Sequence, residues 1–295
     1  YGGGSGIPED PYQIWTTEHL NSIGLYPFYL CKCYKLMADI DLATYTGTQF
    51  NRIGIDDNNS KFTGTFDGQG HIIRHFTYTT TDYLIRPVGL FGIAGEGATI
   101  QNLGVEDVNI SVSGYTVGGM VGENRGTIIS CYCTGNVTGR SVIGGVVGSN
   151  NGTITTCYST CTVNGNTGGD DCGGLVGANS HTIISCYTAG SVSGDSIVGG
   201  LVGRSGSGLI SSCYSVCDVS GRVRVGGLIG RIDSGTVTSS YCTGNVDGNG
   251  DYIGGLIGEC QGSVTSCFWD INTTGQSNSA GGTGYPTAVM IQKII

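Results

Sequence analysis

Apolar and small residues recur along most of this chain with a period near 27 residues, the mark of a stacked repeat. Six Gly-Gly pairs begin at Gly118, Gly144, Gly173, Gly199, Gly226 and Gly254, in steps of 26, 29, 26, 27 and 28 residues. Each opens the word Gly-Gly-apolar-apolar-Gly, as in Gly118-Gly119-Met120-Val121-Gly122, and Val88-Gly89-Leu90-Phe91-Gly92 is an earlier, degenerate copy. An aromatic follows each pair after 14 or 15 residues: Tyr132, Tyr158, Tyr187, Tyr214, Tyr241 and Phe268. Ile or Val stands four residues before it. Immediately before it stands Cys131, Cys157, Cys186, Cys213, Ser240 or Cys267. Nearly all length variation lies just ahead of the next Gly-Gly, so one corner of each coil takes the insertions while the rest keeps register.

The repeats are built from Gly, Val, Ile, Thr, Ser and Asn, which are poor helix formers with good strand or turn character. Strands of four to six residues broken by Gly and Asn turns predict an all-β fold, a right-handed parallel β-helix. It has about seven coils of about 27 residues, stacked about 4.8 Å apart. Alternation outward from the aromatic puts Cys157, Ser159, Cys161 and Val163 on one face and Tyr158, Thr160, Thr162 and Asn164 on the other. Leu103 occupies the Cys131 slot of the degenerate first coil, so the slot is apolar. Cys131, Cys157, Cys186, Cys213 and Cys267 are therefore predicted to form an internal ladder of small hydrophobes. The Tyr column is predicted to point outward as an interaction stripe. The Gly-Gly strand reads as apolar on both faces. Val117, Ile143, Cys172, Val198, Val225 and Ile253 lie on one face; Met120, Val146, Leu175, Leu201, Leu228 and Leu256 lie on the other, a candidate contact surface.

Four regions follow. Residues 1–33 form a lead and N-terminal cap, with 1–8 a flexible Gly-rich stretch and a short helix capped by Thr16 or Thr17 that ends before Pro27. Residues 34–88 hold degenerate first coils, 89–280 the regular solenoid, and 281–295 an apolar tail with no obvious home.

Composition narrows the setting. Gly numbers 55 of 295 residues without a collagen period, and charged residues make up only 12%. The net charge of −9 disfavours nucleic acid and anionic membrane as partners, and no apolar run approaches a membrane span. A first residue other than Met fits a processed, secreted chain. Thirteen Cys with abundant Thr, Asn and Ser fit an extracellular or cell-surface setting. Sequons at Asn58, Asn109, Asn136, Asn151 and Asn272 are candidate glycosylation sites.

The words Gly-Gly-Leu-Val-Gly and Ser-Cys-Tyr-X-X-Gly-X-Val-X-Gly resemble the GLUG-motif repeats of bacterial and archaeal surface proteins. The opening Gly6-Ile7-Pro8-Glu9-Asp10-Pro11-Tyr12, the stretch Phe62-Thr63-Gly64-Thr65-Phe66-Asp67-Gly68 and the ending Phe268-Trp269-Asp270 are similar to parts of those domains. The resemblance extends over nearly the whole chain. It implies a secreted β-solenoid of the kind found in adhesins, envelope proteins and large secreted proteins.

Candidate chemistry is sparse. Asp39 and Asp41 share a strand face, as a glycosidase pair would, and His71 and His75 share another near Cys31-Lys32-Cys33. Cys-X-Cys is not the usual zinc spacing. Asp170-Asp171 reads as a solvated turn in the longest corner insertion. No catalytic residue, metal or cofactor is assigned. Three function classes remain. The first is a structural surface protein that assembles with itself into an envelope layer, sheath or filament. Its inter-chain disulfides would come from Cys31, Cys33 and Cys260, read as lying outside the inward columns. The second is an adhesin that binds glycans or other surface proteins along the Tyr stripe. The third is a polysaccharide-active enzyme.

Overall fold

The computed structural model describes residues 1–55 and 60–294. It is a parallel β-solenoid of about seven turns with coils of about 27 residues. Among the described residues the strands gather into sheets of 10, 19 and 7 strands running along the stack. One coil shows how the repeat is used. Val121–Asn124 is a strand of the seven-stranded sheet and Thr127–Ile129 one of the ten-stranded sheet. Tyr132–Gly144 runs on through the largest sheet to the next glycine pair. Each strand pairs in parallel with its equivalent one coil on, so Val121 meets Val147, Ile128 meets Ile154 and Tyr132 meets Tyr158.

Two corners per coil are made by non-glycine residues at positive φ. One stands just before the Cys slot, at Ser130, Thr156, Ser185, Ser212, Ser239 and Ser266. The other stands two residues before the glycine pair, at Thr116, Val142, Asp171, Ile197, Arg224 and Tyr252. This second corner and the bend at the pair interrupt strand alternation and swing the following apolar residue inward. Met120, Val146, Leu175, Leu201, Leu228 and Leu256 are all fully buried, as are Val117, Ile143, Cys172, Val198 and Val225. The second apolar face expected as a contact surface is therefore part of the core. Period-two reasoning failed there because the segment is not one continuous strand.

The glycine word has a steric cause. A Cβ on the second glycine of a pair would lie 2.3 Å from the Gly145 carbonyl oxygen at Gly119, and 2.2 Å from the Gly200 oxygen at Gly174. On the first glycine it would lie 2.0 Å from the oxygen three residues ahead, at Gly118, Gly144, Gly173 and Gly199. A third corner is closed by a buried asparagine ladder. Asn124 Nδ2 donates to Asn150 Oδ1 and Asn150 Nδ2 to Asn179 Oδ1, both at 2.8 Å. Each of these side chains also bonds the backbone two residues on, at Gly126, Gly152 and His181. Cys260 ends this register column, after Asn179, Ser205 and Ile232.

The ends differ from expectation. The first eight residues are tied down. The Gly2 and Gln13 amides bond the Gln13 and Gly3 carbonyls, and the Cys33 amide bonds the Gly6 carbonyl. Tyr12–Ile14 already pairs with Cys33–Leu36, so the stack starts inside the segment read as a lead. Helix α1 (Thr17–Ile23) is capped by Thr16 and buries Leu20 and Ile23. The C-terminal tail also has a home. Beyond α2 (Ile271–Thr274), Thr283–Tyr285 pairs with Phe268–Asp270, and α3 (Thr287–Ile294) buries Met290. Asp270 holds this end by accepting from the Asn272 amide at 2.9 Å and the Thr287 hydroxyl at 3.0 Å.

The glycine constraint gives a direct test. Gly174→Ala should lower stability by about 3 kcal/mol, the upper range for overpacking. Gly206→Ala, where the nearest atom to a new Cβ is 3.5 Å away, should change it by less than about 0.5 kcal/mol. Denaturant melts followed by circular dichroism compare the two.

Candidate functional site

The aromatic stripe lies on the outside of the largest sheet, as its alternation predicts. Tyr132, Tyr158, Tyr187, Tyr214 and Tyr241 stack with centroid spacings of 4.8, 4.8, 5.0 and 5.1 Å and interplanar angles of 3, 7, 4 and 6°. Tyr241 registers with Phe268, whose ring lies 5.5 Å from Tyr285. Each inner tyrosine thus has both π-faces covered by its neighbours. At the N-terminal end Tyr132 lies against Gly104, where a Cβ would fall 2.5 Å from the ring. The column presents ring edges and phenol hydroxyls to solvent, not the open faces on which a sugar ring would lie. Burial raises the hydroxyl pKa of Tyr158, Tyr214 and Tyr241.

Beyond Tyr132 the same sheet carries a polar cluster. The Tyr132 hydroxyl donates to Glu106 Oε1 at 2.7 Å, and Arg74 Nε reaches Glu106 Oε2 at 3.1 Å. Asp39 faces His71 at 3.1 Å, and Asp41 faces His75 at 2.8 Å. Glu106 is held below the usual carboxylate range, first by the Tyr132 hydroxyl. Asp39 is lowered first by the Ile72 amide, and Asp41 first by His75. A glycosidase acid needs a carboxyl held protonated, and these environments do the opposite. Among the described residues no group of three or more His, Cys, Asp and Glu is placed to hold a metal ion.

The cysteines sit almost entirely inside. Cys131, Cys157, Cys186, Cys213 and Cys267 form the internal ladder. It does more than fill space. The amides of Cys131, Cys157 and Cys186 donate to the sulfur one coil on at 3.4, 3.4 and 3.5 Å. The Cys213 amide donates to Ser240 Oγ at 3.1 Å, so a hydroxyl replaces the thiol in this slot. Burial pushes the Cys172 thiol up to about 12 and raises Cys157, Cys217 and Cys242 as well, so these thiols are chemically quiet. All thirteen cysteines are free thiols. Of the proposed cross-linking residues, Cys31 is exposed and Cys260 half-buried. Cys33 is buried although it lies outside the core cluster: Tyr34 and Leu36 of its strand face inward, while Cys33 registers with Thr65 and lies beside Pro8 and Pro11 of the N-terminal segment. Asn109, Asn136, Asn151 and Asn272 are exposed, and Asn58 lies outside the described residues.

The solvated turn expected at Asp170-Asp171 is only half correct. Asp170 is exposed, but Asp171 is partly buried at positive φ, with Oδ1 left without a hydrogen bond. Desolvation raises its pKa to about 6 against the pull of Arg204. Close by, Asp233 joins Arg204 and Arg231 at 2.6 Å each, and Glu259 pairs with Arg224. Sequence reasoning missed this ionic face, because its members belong to different coils and meet only through the register.

No family model matches the chain. Among curated proteins it is 36% identical over 135 residues to one from Evansella cellulosilytica named "Putative Gly-rich membrane protein". It is 31% identical over 145 residues to the halomucin of Haloquadratum walsbyi. These matches take in 43% and 47% of this chain but only 15% and 2% of the relatives. In fold it is similar to a crystal structure from Bacteroides ovatus titled as a "putative immunoglobulin A1 protease". The TM-score is 0.72 at 20% identity, over 99% of this chain and 88% of the other. That likeness shows the solenoid alone.

Two measurements check the site chemistry. Asp171 has its pKa raised by folding, so the native state binds the extra proton between about pH 4 and 6, and stability falls as pH rises through that window. Asp171→Asn should therefore gain about 3 kcal/mol at pH 7 and nothing below about pH 4, read from chemical melts. In native buffer a thiol reagent should label Cys31 quickly and Cys260 slowly, and the other eleven of the thirteen (13 − 2) only after unfolding.

Proposed function

We propose that the chain is a structural module of an extracellular cell-surface protein, a rigid spacer holding other parts of a longer polypeptide at a fixed distance. The observation that carries this is that the interior columns stay aligned from coil to coil across the local register shifts, each completed by the chain's own coils. Such a stack resists bending because every coil is hydrogen-bonded and packed to the next. The relatives support the reading, since the matched stretch is a small fraction of each. The exposed sequon asparagines fit an extracellular setting, and so do quiet, buried thiols that need no reducing environment.

A second reading, self-assembly into a layer or filament, loses one of its sequence arguments, because the second apolar face is packed within the chain, and the tail is only partly packed, with Met290 buried and Ile291 exposed. It keeps one observation. The thiol of Cys31 is exposed, 3.7 Å from the Phe28 carbonyl, and Leu25, Tyr26 and Phe28 of the same N-terminal segment are exposed as well.

Light scattering and small-angle X-ray scattering separate the two. The spacer predicts a single-chain mass and one rod length at all concentrations, unchanged by reductant or by Cys31→Ser. Filaments or sheets in electron micrographs that dissolve with reductant, or fail to form in Cys31→Ser, would replace the spacer with the assembly.

A further inference from the structure

Most of the guanidinium groups of this acidic chain are engaged within it. Of the nine arginines, seven have an acidic or carbonyl partner: Arg52 on the Pro87 carbonyl, and Arg74, Arg125, Arg204, Arg222, Arg224 and Arg231 on carboxylates. The exceptions are Arg86 and Arg140. Neither guanidinium has a carboxylate or hydrogen-bond partner among the described residues, and both are exposed. They are also together. Arg140 comes from the coil after Tyr115 and Arg86 from the coil before it, and they lie 5.3 and 5.7 Å from the centre of its ring. Two unneutralised cations around one tyrosine repel each other, and the ring offsets this by only about 0.5–1 kcal/mol each. An anion at this place would be favoured.

Arg140 also lines a groove of about 430 Å³ with Thr81, Tyr83, Ser113 and Asn166. That volume is suited to one or two sugar rings and falls in the usual range for small-ligand sites. The polar side chains supply hydroxyl and amide groups that both donate and accept, as sugar hydroxyls require. Tyr83 differs from the stacked column. It is 61% exposed, and its ring has no aromatic or cationic partner among the described residues. An open aromatic face, a row of small polar groups and a free guanidinium meet in one groove. We propose that this groove binds an acidic saccharide, its carboxylate on Arg140 and the C–H face of its ring on Tyr83. Arg86, across Tyr115, adds to the positive potential. A guanidinium fork matches a carboxylate in two parallel hydrogen bonds, which gives preference over a neutral sugar of the same shape. This inference does not depend on the spacer reading, because a rigid module can carry a binding site on its side.

Titration calorimetry on the full chain tests it, with trisaccharides of galacturonate, glucuronate and mannuronate and with their neutral methyl esters as probes. At least one acid should bind at one site per chain, and its ester at least tenfold more weakly. Arg140→Gln and Tyr83→Ala should each weaken the acid at least tenfold, while Tyr187→Ser in the stacked column leaves it unchanged. Arg140 and Tyr83 are both exposed, so melting temperatures should not move. The proposal is overturned if none of the three acids binds, if acid and ester bind alike, if Arg140→Gln binds as well as the parent, or if sodium sulfate displaces the sugar at equal concentration.

Discussion

Everything in this molecule depends on one constraint: parallel hydrogen bonding holds each residue about 4.8 Å from its counterpart in the next coil. At that distance a side chain's nearest neighbour is another copy of its own slot. Only residues that tolerate their own kind can repeat. Asn does so by donating along the column from one amide to the next. Cys does so by accepting the corner amide of the adjacent coil. Tyr does so by stacking nearly flat. At the glycine pair the backbones themselves come so close that no side chain fits.

The same constraint limits where function can reside. A perfect ladder uses up the groups it repeats. The tyrosine faces cover one another, the asparagine amides are saturated, and the thiols are buried with raised pKa values. Recognition of another molecule is left to the places where register breaks. The pairing of Tyr132–Gly144 with Thr162–Gly173 shifts between Gly139 and Ser141. Arg140 stands inside that shift, and Asn166 stands in the insertion that causes it. The neighbouring segment 81–87 supplies Tyr83 to the same groove. Irregular corners carry exposed, unpaired groups because no equivalent residue lies above them to occupy them.

Ionic groups follow a related logic. The paired carboxylates of the first coils and the Asp233–Glu259 face are both assembled across coils, between residues about one period apart. Each arginine found on these faces has a carboxylate from a neighbouring coil within reach. This leaves few free guanidiniums on the shaft and makes the two unmatched ones beside Tyr115 a local exception.

The sequence alone determined the period, the parallel stack, the capped helix α1, the inward Cys column and the outward Tyr column. These follow from spacing and from period-two alternation, which are local properties of a strand. It did not determine what lies on the far side of the glycine word, because positive-φ corners at residues such as Val142 and Ile197 break the alternation without a sequence signal. Cys33 lies outside the core as read but is covered beside Pro8 and Pro11, and the first eight residues read as loose because the carbonyls and amides that hold them, at Asp10, Gln13 and Cys33, meet them only in the fold. Tertiary structure also decided that the tyrosines offer edges in place of faces, and that Arg86 and Arg140 meet at one ring. Contact between coils depends on how each corner turns, and that is set by the stacked backbone, not by any one stretch of it.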